Sequence, residues 1–486
     1  MTDRFAVLGC CVDTPQFGQI RGVEGPSLIV VEKDGSISEV LRGTSLHSRM
    51  VELQKAGVEV RQLGDSEFLV PGFIDTHIHF PQFPYTGTGI DKPLMADDGF
   101  LKKYAFPTER SMSDVSQAKQ VYSRALEHIL SHGTTSAVIY GSAHLEASKA
   151  LVDTAIELRG PRAFVGKVCM DRNCPDGYVE TSESSLKETE EFIKYAQARA
   201  RENSEPPFLA QPVVTPRFLP TCTPELLRGL GDLAAKYDCM IQSHMSESCD
   251  EIEFSACLFP GKSDAEAFEE FGLLRSPSLM GHCVHLMPGE EEILKRNRAA
   301  IAHCPLSNFF FAKEALPVKQ LVKHGVKVGL GTDVAGGYSP SMLNAMRSAV
   351  LASKTLQFRR PPGCIFQKPS GEAPKAEDED ELRNMHDVTH FEALYLATQG
   401  GADAMGLKEL LGSFEVGKVF DALVLGTGPT VMRFPGGAAE SPEDVLQKII
   451  TLGDDRNIAE VYIGGVSVHR KLPENGTREQ KRLRTR

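Results

Sequence analysis

From residue 71 to residue 412 the chain alternates short apolar runs with amphipathic stretches, and this alternation restricts the possible fold more than any other feature. "SAVIYG", "AFVGKVCM", "CMIQSHMSE", "SLMGHC", "AAIAHCP" and "VKVGLGTD" read as strands, whereas "SSLKETEEFIKYAQARA" and "TPELLRGLGDLAAKYD" repeat apolar residues at helical spacing. The latter carries its own start signal: Thr223 suits an N-cap and Pro224 the first helical position, where a missing N–H costs nothing. Apolar strands joined by helices imply a parallel sheet covered on both faces, hence an α/β fold. A closed (β/α)8 TIM-like barrel is its simplest form at this length.

The chain ends read differently. "SLIVVEKDGSISEV" has two alternating halves around Asp34-Gly35, a tight hairpin turn, and the first seventy residues as a whole read as short strands. "FDALVLG" (420–426) and "VYIGGVSV" (461–468), with its Gly464-Gly465 turn, are similar. Each group is short of strands for an independent sheet, so both termini are expected to build one small β-sandwich domain. The boundaries follow: 1–70 and 413–470 for the β domain, 71–412 for the barrel, 471–486 as a disordered basic tail. The polar, Pro-rich stretch 359–384 is expected to be a solvated loop, followed by a helix starting at a Thr389/Glu392 capping box.

Composition excludes some roles. A formal net charge of −12 argues against a nucleic-acid-binding face, which needs grouped Lys and Arg, and against docking on anionic membranes. No apolar run reaches spanning length, and "MTDRFAVLGCCVDT" lacks a signal-peptide layout. The 11 cysteines include no C-x-x-C pair and read as reduced residues of a cytosolic protein, so the Asn475 sequon reads as a plain turn.

In a barrel, chemistry sits at the C-terminal strand ends. His77 and His79, two apart in "PGFIDTHIHF", share one face of a strand. "IQSHMSES" adds His244 and Glu247, "SLMGHC" adds His282, and "VKVGLGTDVAGG" adds Asp333. A satisfied core histidine explains any one of these; it explains all six poorly, because burying titratable groups is costly. Three imidazoles and a carboxylate suit one divalent metal, usually zinc, that brings a water towards neutral pKa. Glu247 follows His244 too closely to be an obvious ligand and is better placed to carry protons.

"PGFIDTHIHFPQF", "GKVCMD", "VTPRF", "QSHMSE", "AHCPLSN", "GLGTDVAGGYSPSML" and "LGDDRNIAEVYIGG" together resemble the amidohydrolase superfamily, and within it the mononuclear zinc aminohydrolases that act on guanine. The resemblance implies His77, His79, His244 and Asp333 as ligands of a single Zn2+. It also implies Glu247 as proton shuttle, with His282 bonded to the attacking water and Asp333 taking part in catalysis. Arg217 would pair its donor fork with O6 and N7 of guanine, Phe218 would stack on the base, and Gln82 would meet another edge. His244, His282 and Asp333 would border the same substrate. The implied reaction is hydrolytic deamination at C2 to xanthine and ammonia, by a homodimer.

Two-metal members bridge their ions with a carboxylated lysine on the fourth strand; here "FLAQPVVTPRF" has none, and Lys167 on an earlier strand reads as an ordinary lysine. "PLMADDGFLKKYAFPTE" (93–109), expected to form the wall or lid of the pocket, lacks the usual Glu-Trp pair, which bears on substrate breadth. Other substrates of such a site would be a related aminopurine, a pterin or an aminotriazine. A catalytically silent scaffold fits badly with an intact ligand set, and the zinc deaminases of nucleic acids need a P-C-x-x-C element absent here.

Overall fold

The structure, a computed structural model, describes residues 3–43, 46–204, 206–356, 385–432 and 440–471. Five strands come first: β1 (Phe5–Cys11), β2 (Ser27–Val31), β3 (Ile37–Arg42), β4 (Glu59–Gln62) and β5 (Glu67–Pro71). Eight follow in the alternating region: β6 (Phe73–His79), β7 (Thr134–Tyr140), β8 (Arg162–Cys169), β9 (Ala210–Pro216), β10 (Met240–Met245), β11 (Ser278–His282), β12 (Ala300–His303) and β13 (Lys327–Leu330). The last three are β14 (Ala422–Gly426), β15 (Ile458–Ile463) and β16 (Val466–Arg470). The 359–384 loop and the tail beyond 471 lie outside the described residues.

β6 to β13 pair in sequence order, all parallel, as right-handed strand–helix–strand units require. Hydrogen bonds at the C-terminal end close the ring: Asp333 N–H to the His77 carbonyl (2.8 Å) and His79 N–H to the Val334 carbonyl (2.9 Å). Asp75 reinforces the seam, accepting from Thr332 N–H (3.0 Å) and the Thr332 hydroxyl (2.5 Å). Burial pushes its carboxyl up to about 7 against the pull of these donors. The helices begin where sequence logic places them. Thr223 caps Pro224–Tyr237, and Thr389 with Glu392 forms a capping box on His390–Ala397.

Strands from both termini form the second sheet, ordered β16-β15-β14-β5-β1-β2-β3, with β4 beside β1. β1 changes partner along its length, pairing β4 at residues 5–8 and β5 at residues 10–11, so the sheet divides into two leaves. Val7, Ile29 and Val31 of one leaf share an apolar cluster with Leu69, Val424 and Tyr462 of the other. The β15–β16 turn needs its two glycines, since Gly464 and Gly465 both have positive φ (58° and 75°).

The first seventy residues are not strands alone. Leu46–Lys55 is a helix whose Leu46 and Leu53 pack against Ala6, Leu28 and Val30. A buried bidentate pair joins sheet and barrel: Arg162 at the start of β8 donates to both oxygens of Asp421 (2.9 and 2.8 Å).

Candidate active site

Six predicted residues meet at the C-terminal mouth of the barrel. β6 delivers His77 and His79, β10 delivers His244 with Glu247 just beyond it, β11 ends on His282, and Asp333 follows β13. All six are buried. The β6–β7 register shifts between Asp75 and Ile78, a bulge that re-aims the strand end where the two histidines emerge. His282 (φ 69°) and Asp333 (φ 49°) adopt left-handed backbone, which turns the chain sharply at the pocket and concentrates strain there. Neighbouring glycines make room: a Cβ at Gly281 would come within 2.7 Å of the His77 ring, and one at Gly331 within 2.8 Å of His77 Cβ.

The donor atoms converge. His79 Nε2 and His244 Nε2 are 3.1 Å apart, and Asp333 Oδ1 is 3.4 Å from Nε2 of both His77 and His79. Ligands about 2.0 to 2.1 Å from a tetrahedral ion stand roughly 3.3 Å from one another, so the spacing suits such a centre. The electronics agree. His244 donates Nδ1–H to the Arg217 carbonyl (2.6 Å), leaving the Nε2 lone pair facing the cluster. His77 Nε2 is buried without a hydrogen-bond partner, a position that is costly unless something else binds it. Burial, with the neighbouring imidazoles, holds His77, His79 and His244 well below the usual histidine range, so they are neutral and able to ligate. The cluster can therefore hold a metal ion.

Beside it, His282 Nε2 lies 3.6 Å from Glu247 Oε1 and 3.8 Å from Asp333 Oδ2. Burial, and then the Asp333 charge, push the Glu247 carboxyl well above its ordinary range, towards the protonated form. His282 is oriented from behind by Asn308, whose Oδ1 is 2.9 Å from Nδ1. Asn308 lies within "AHCPLSN" and was singled out only as part of that stretch.

The remaining wall lines the same pocket. Gln82, Arg217 and Phe218 line the pocket together with His79, His244, Glu247 and Asp333. Leu94, Phe100 and Leu101 of the tryptophan-less segment line it too, so this segment does form part of the wall. Its last residue, Glu109, is the unforeseen element. It accepts from Arg217 Nη1 (2.5 Å), Gln82 Nε2 (2.9 Å) and the Tyr178 hydroxyl (3.0 Å). A glutamate after "FPT" gives no local signal of burial, and Tyr178, on the loop after β8, gives none either. Lys167 is fully buried and pairs with Glu180 (2.5 Å), a packed lysine held in an ion pair.

The amidohydrolase family model matches residues 68–468. Guanine deaminase of Dictyostelium discoideum is 41% identical over 468 residues, covering 94% of this chain and 96% of that one. The human enzyme of that name is 39% identical over 417 residues, covering 84% and 85%. A crystal structure of guanine deaminase from C. acetobutylicum, with guanine bound in its active site, superposes with a TM-score of 0.81 at 31% identity, covering 96% of this chain and 100% of that one. The chain belongs to the amidohydrolase family and, within it, to the guanine deaminases.

Proposed function

We propose that this protein hydrolyses guanine at C2, releasing ammonia and leaving xanthine, with one zinc ion held by His77, His79, His244 and Asp333. The observation that carries the reading is a single pocket with a ligand-competent imidazole–carboxylate floor and a guanidinium, Arg217, in its wall. A divalent ion in the floor supplies Lewis acidity and activates water at neutral pH.

The chain's own groups do the rest. Arg217 and Gln82 orient the base by hydrogen bonds, and Phe218 with Phe311 bounds it. Glu247 takes one proton from the attacking water as its oxygen adds to C2 and gives it to the adjacent ring nitrogen; it then takes the second proton, from the new C2 hydroxyl, and hands it to the amine as the C2–N bond breaks. His282, with Nδ1 held by Asn308, presents Nε2 to the attacking water. Zinc identity, a homodimer and a cytosolic location complete the reading on the strength of the sequence resemblance. Ammonia release from guanine, measured alongside metal content and a panel of adenine, pterin and aminotriazine, tests it. Preferred turnover of a panel member over guanine would sink it.

A further inference from the structure

We propose that Glu109 is the counter-charge that keeps the base-reading wall electrically neutral, so that the pocket prefers an uncharged base over an anionic one. The inference rests on the guanine-deaminase reading and adds to it a selectivity for charge.

The Arg217 guanidinium is buried and therefore costly to leave unpaired. In many sites such a cation is neutralised by an anionic ligand, to which a guanidinium binds bidentately. Here the protein supplies that anion itself. Glu109, fully buried on the helix Phe106–Ser111, bonds Nη1 at 2.5 Å, while the Phe106 ring lies 5.0 Å from the guanidinium carbon. The carboxylate is held on three sides. The Tyr178 hydroxyl donates to it while accepting from Ala143 N–H (3.2 Å), and Gln82 gives it an amide N–H while accepting from Ala335 N–H (3.3 Å). Because a carboxylate only accepts, Glu109 also fixes which way the Gln82 amide points. Arg217 thus retains N–H groups for a ligand's acceptors but no net charge to attract an anion. A neutral lactam such as guanine meets that demand. An anionic base would meet a guanidinium already paired with Glu109, so the wall offers it no net positive charge.

The test compares two ligands of one shape. 8-Azaxanthine replaces C8–H of xanthine by nitrogen and is an anion under mildly acidic conditions, where xanthine is neutral. Inhibition of guanine turnover by each is measured on the zinc-loaded wild type, on Glu109→Gln and on Glu109→Asp. Wild type should favour xanthine. Glu109→Gln leaves Arg217 uncompensated and should shift the preference towards 8-azaxanthine by about 10-fold or more. Glu109→Asp keeps the charge and should hold the ratio near wild type even if guanine KM rises. An unchanged ratio in Glu109→Gln, with guanine kinetics merely impaired, overturns the proposal and leaves Glu109 a packing residue. If Glu109→Gln does not fold, the wild-type ratio decides: equal or tighter binding of the anion overturns it. Absence of guanine turnover by wild type would instead defeat the functional reading, which separates the two failures.

Discussion

The floor and the wall of the pocket solve the problem of buried polarity in opposite ways. The floor places three neutral imidazoles and a carboxylate together and leaves His77 Nε2 without a partner. The wall balances its own charge: Glu109 accepts from Arg217, Gln82 and Tyr178 through bonds of 2.5 to 3.0 Å, and Arg217 keeps N–H groups for a ligand. A group of donors that lacks partners asks for an ion, because the desolvation already spent on it is recovered only by coordination. A network whose charges are already paired offers a ligand a few hydrogen bonds and no net charge. The floor should therefore control whether the reaction runs, and the wall which molecule undergoes it.

Removing the ion is the strongest way to separate the two. Chelation, or His244→Ala, should take guanine turnover below detection, and zinc should restore the chelated protein but not the variant. About one ion per chain is expected by elemental analysis. Two tightly bound ions would mean that the floor has been misread.

Next comes Glu247, the proposed proton carrier at the edge of the floor. Glu247→Gln keeps the shape and cannot shuttle protons, so kcat should drop by roughly 10²- to 10⁴-fold with metal content intact. A folded, loaded variant turning over near the wild-type rate would remove Glu247 from the mechanism.

Breaking the wall should change selection more than chemistry. Arg217→Ala strands Glu109 as a buried charge, so thermal unfolding should reveal a loss of roughly 3–5 kcal/mol. Guanine kcat/KM should fall by about 10²-fold or more with zinc retained. The sharper comparison is 2-aminopurine, which keeps the C2 amine but lacks O6. Wild type should process it far less efficiently than guanine, and Arg217→Ala should shrink that gap. If wild type handles both equally well, Arg217 does not read O6.

What the sequence discloses follows the same division. Floor residues sit at strand ends, where a titratable group after an apolar run stands out, so His77, His79, His244, Glu247, His282 and Asp333 were all legible. The barrel was legible for a related reason, since its elements repeat one pattern. Glu109 and Tyr178 were not, because they come from connecting segments that approach the pocket only in three dimensions. Their neighbours in sequence, "YAFPTE" and "DGYVE", look like any amphipathic or turn segment. The helix Leu46–Lys55 escaped for another reason: its apolar face is only Leu46, Met50 and Leu53, too sparse to announce a period among short strands.

Asn308 offers the finest test, because it belongs to neither region yet supports the floor. Its Oδ1 faces His282 Nδ1 at 2.9 Å, and its Nδ2 lies 3.5 Å from His303 Nδ1, so the amide is held from both ends. That contact keeps the proton of His282 on Nδ1 and the lone pair of Nε2 turned towards Glu247 and Asp333. Asn308→Ala removes the anchor without touching a ligand or the wall. The ring can then rotate or take the other tautomer, and kcat should fall by about 10-fold, the lower end for losing a group that orients an active imidazole. Guanine KM and the guanine to 2-aminopurine ratio should stay close to wild type, since Arg217 and Glu109 are untouched. A variant that loses selectivity as much as rate would show that floor and wall are coupled through His282. A drop in kcat alone would show that they are separable down to their supporting residues.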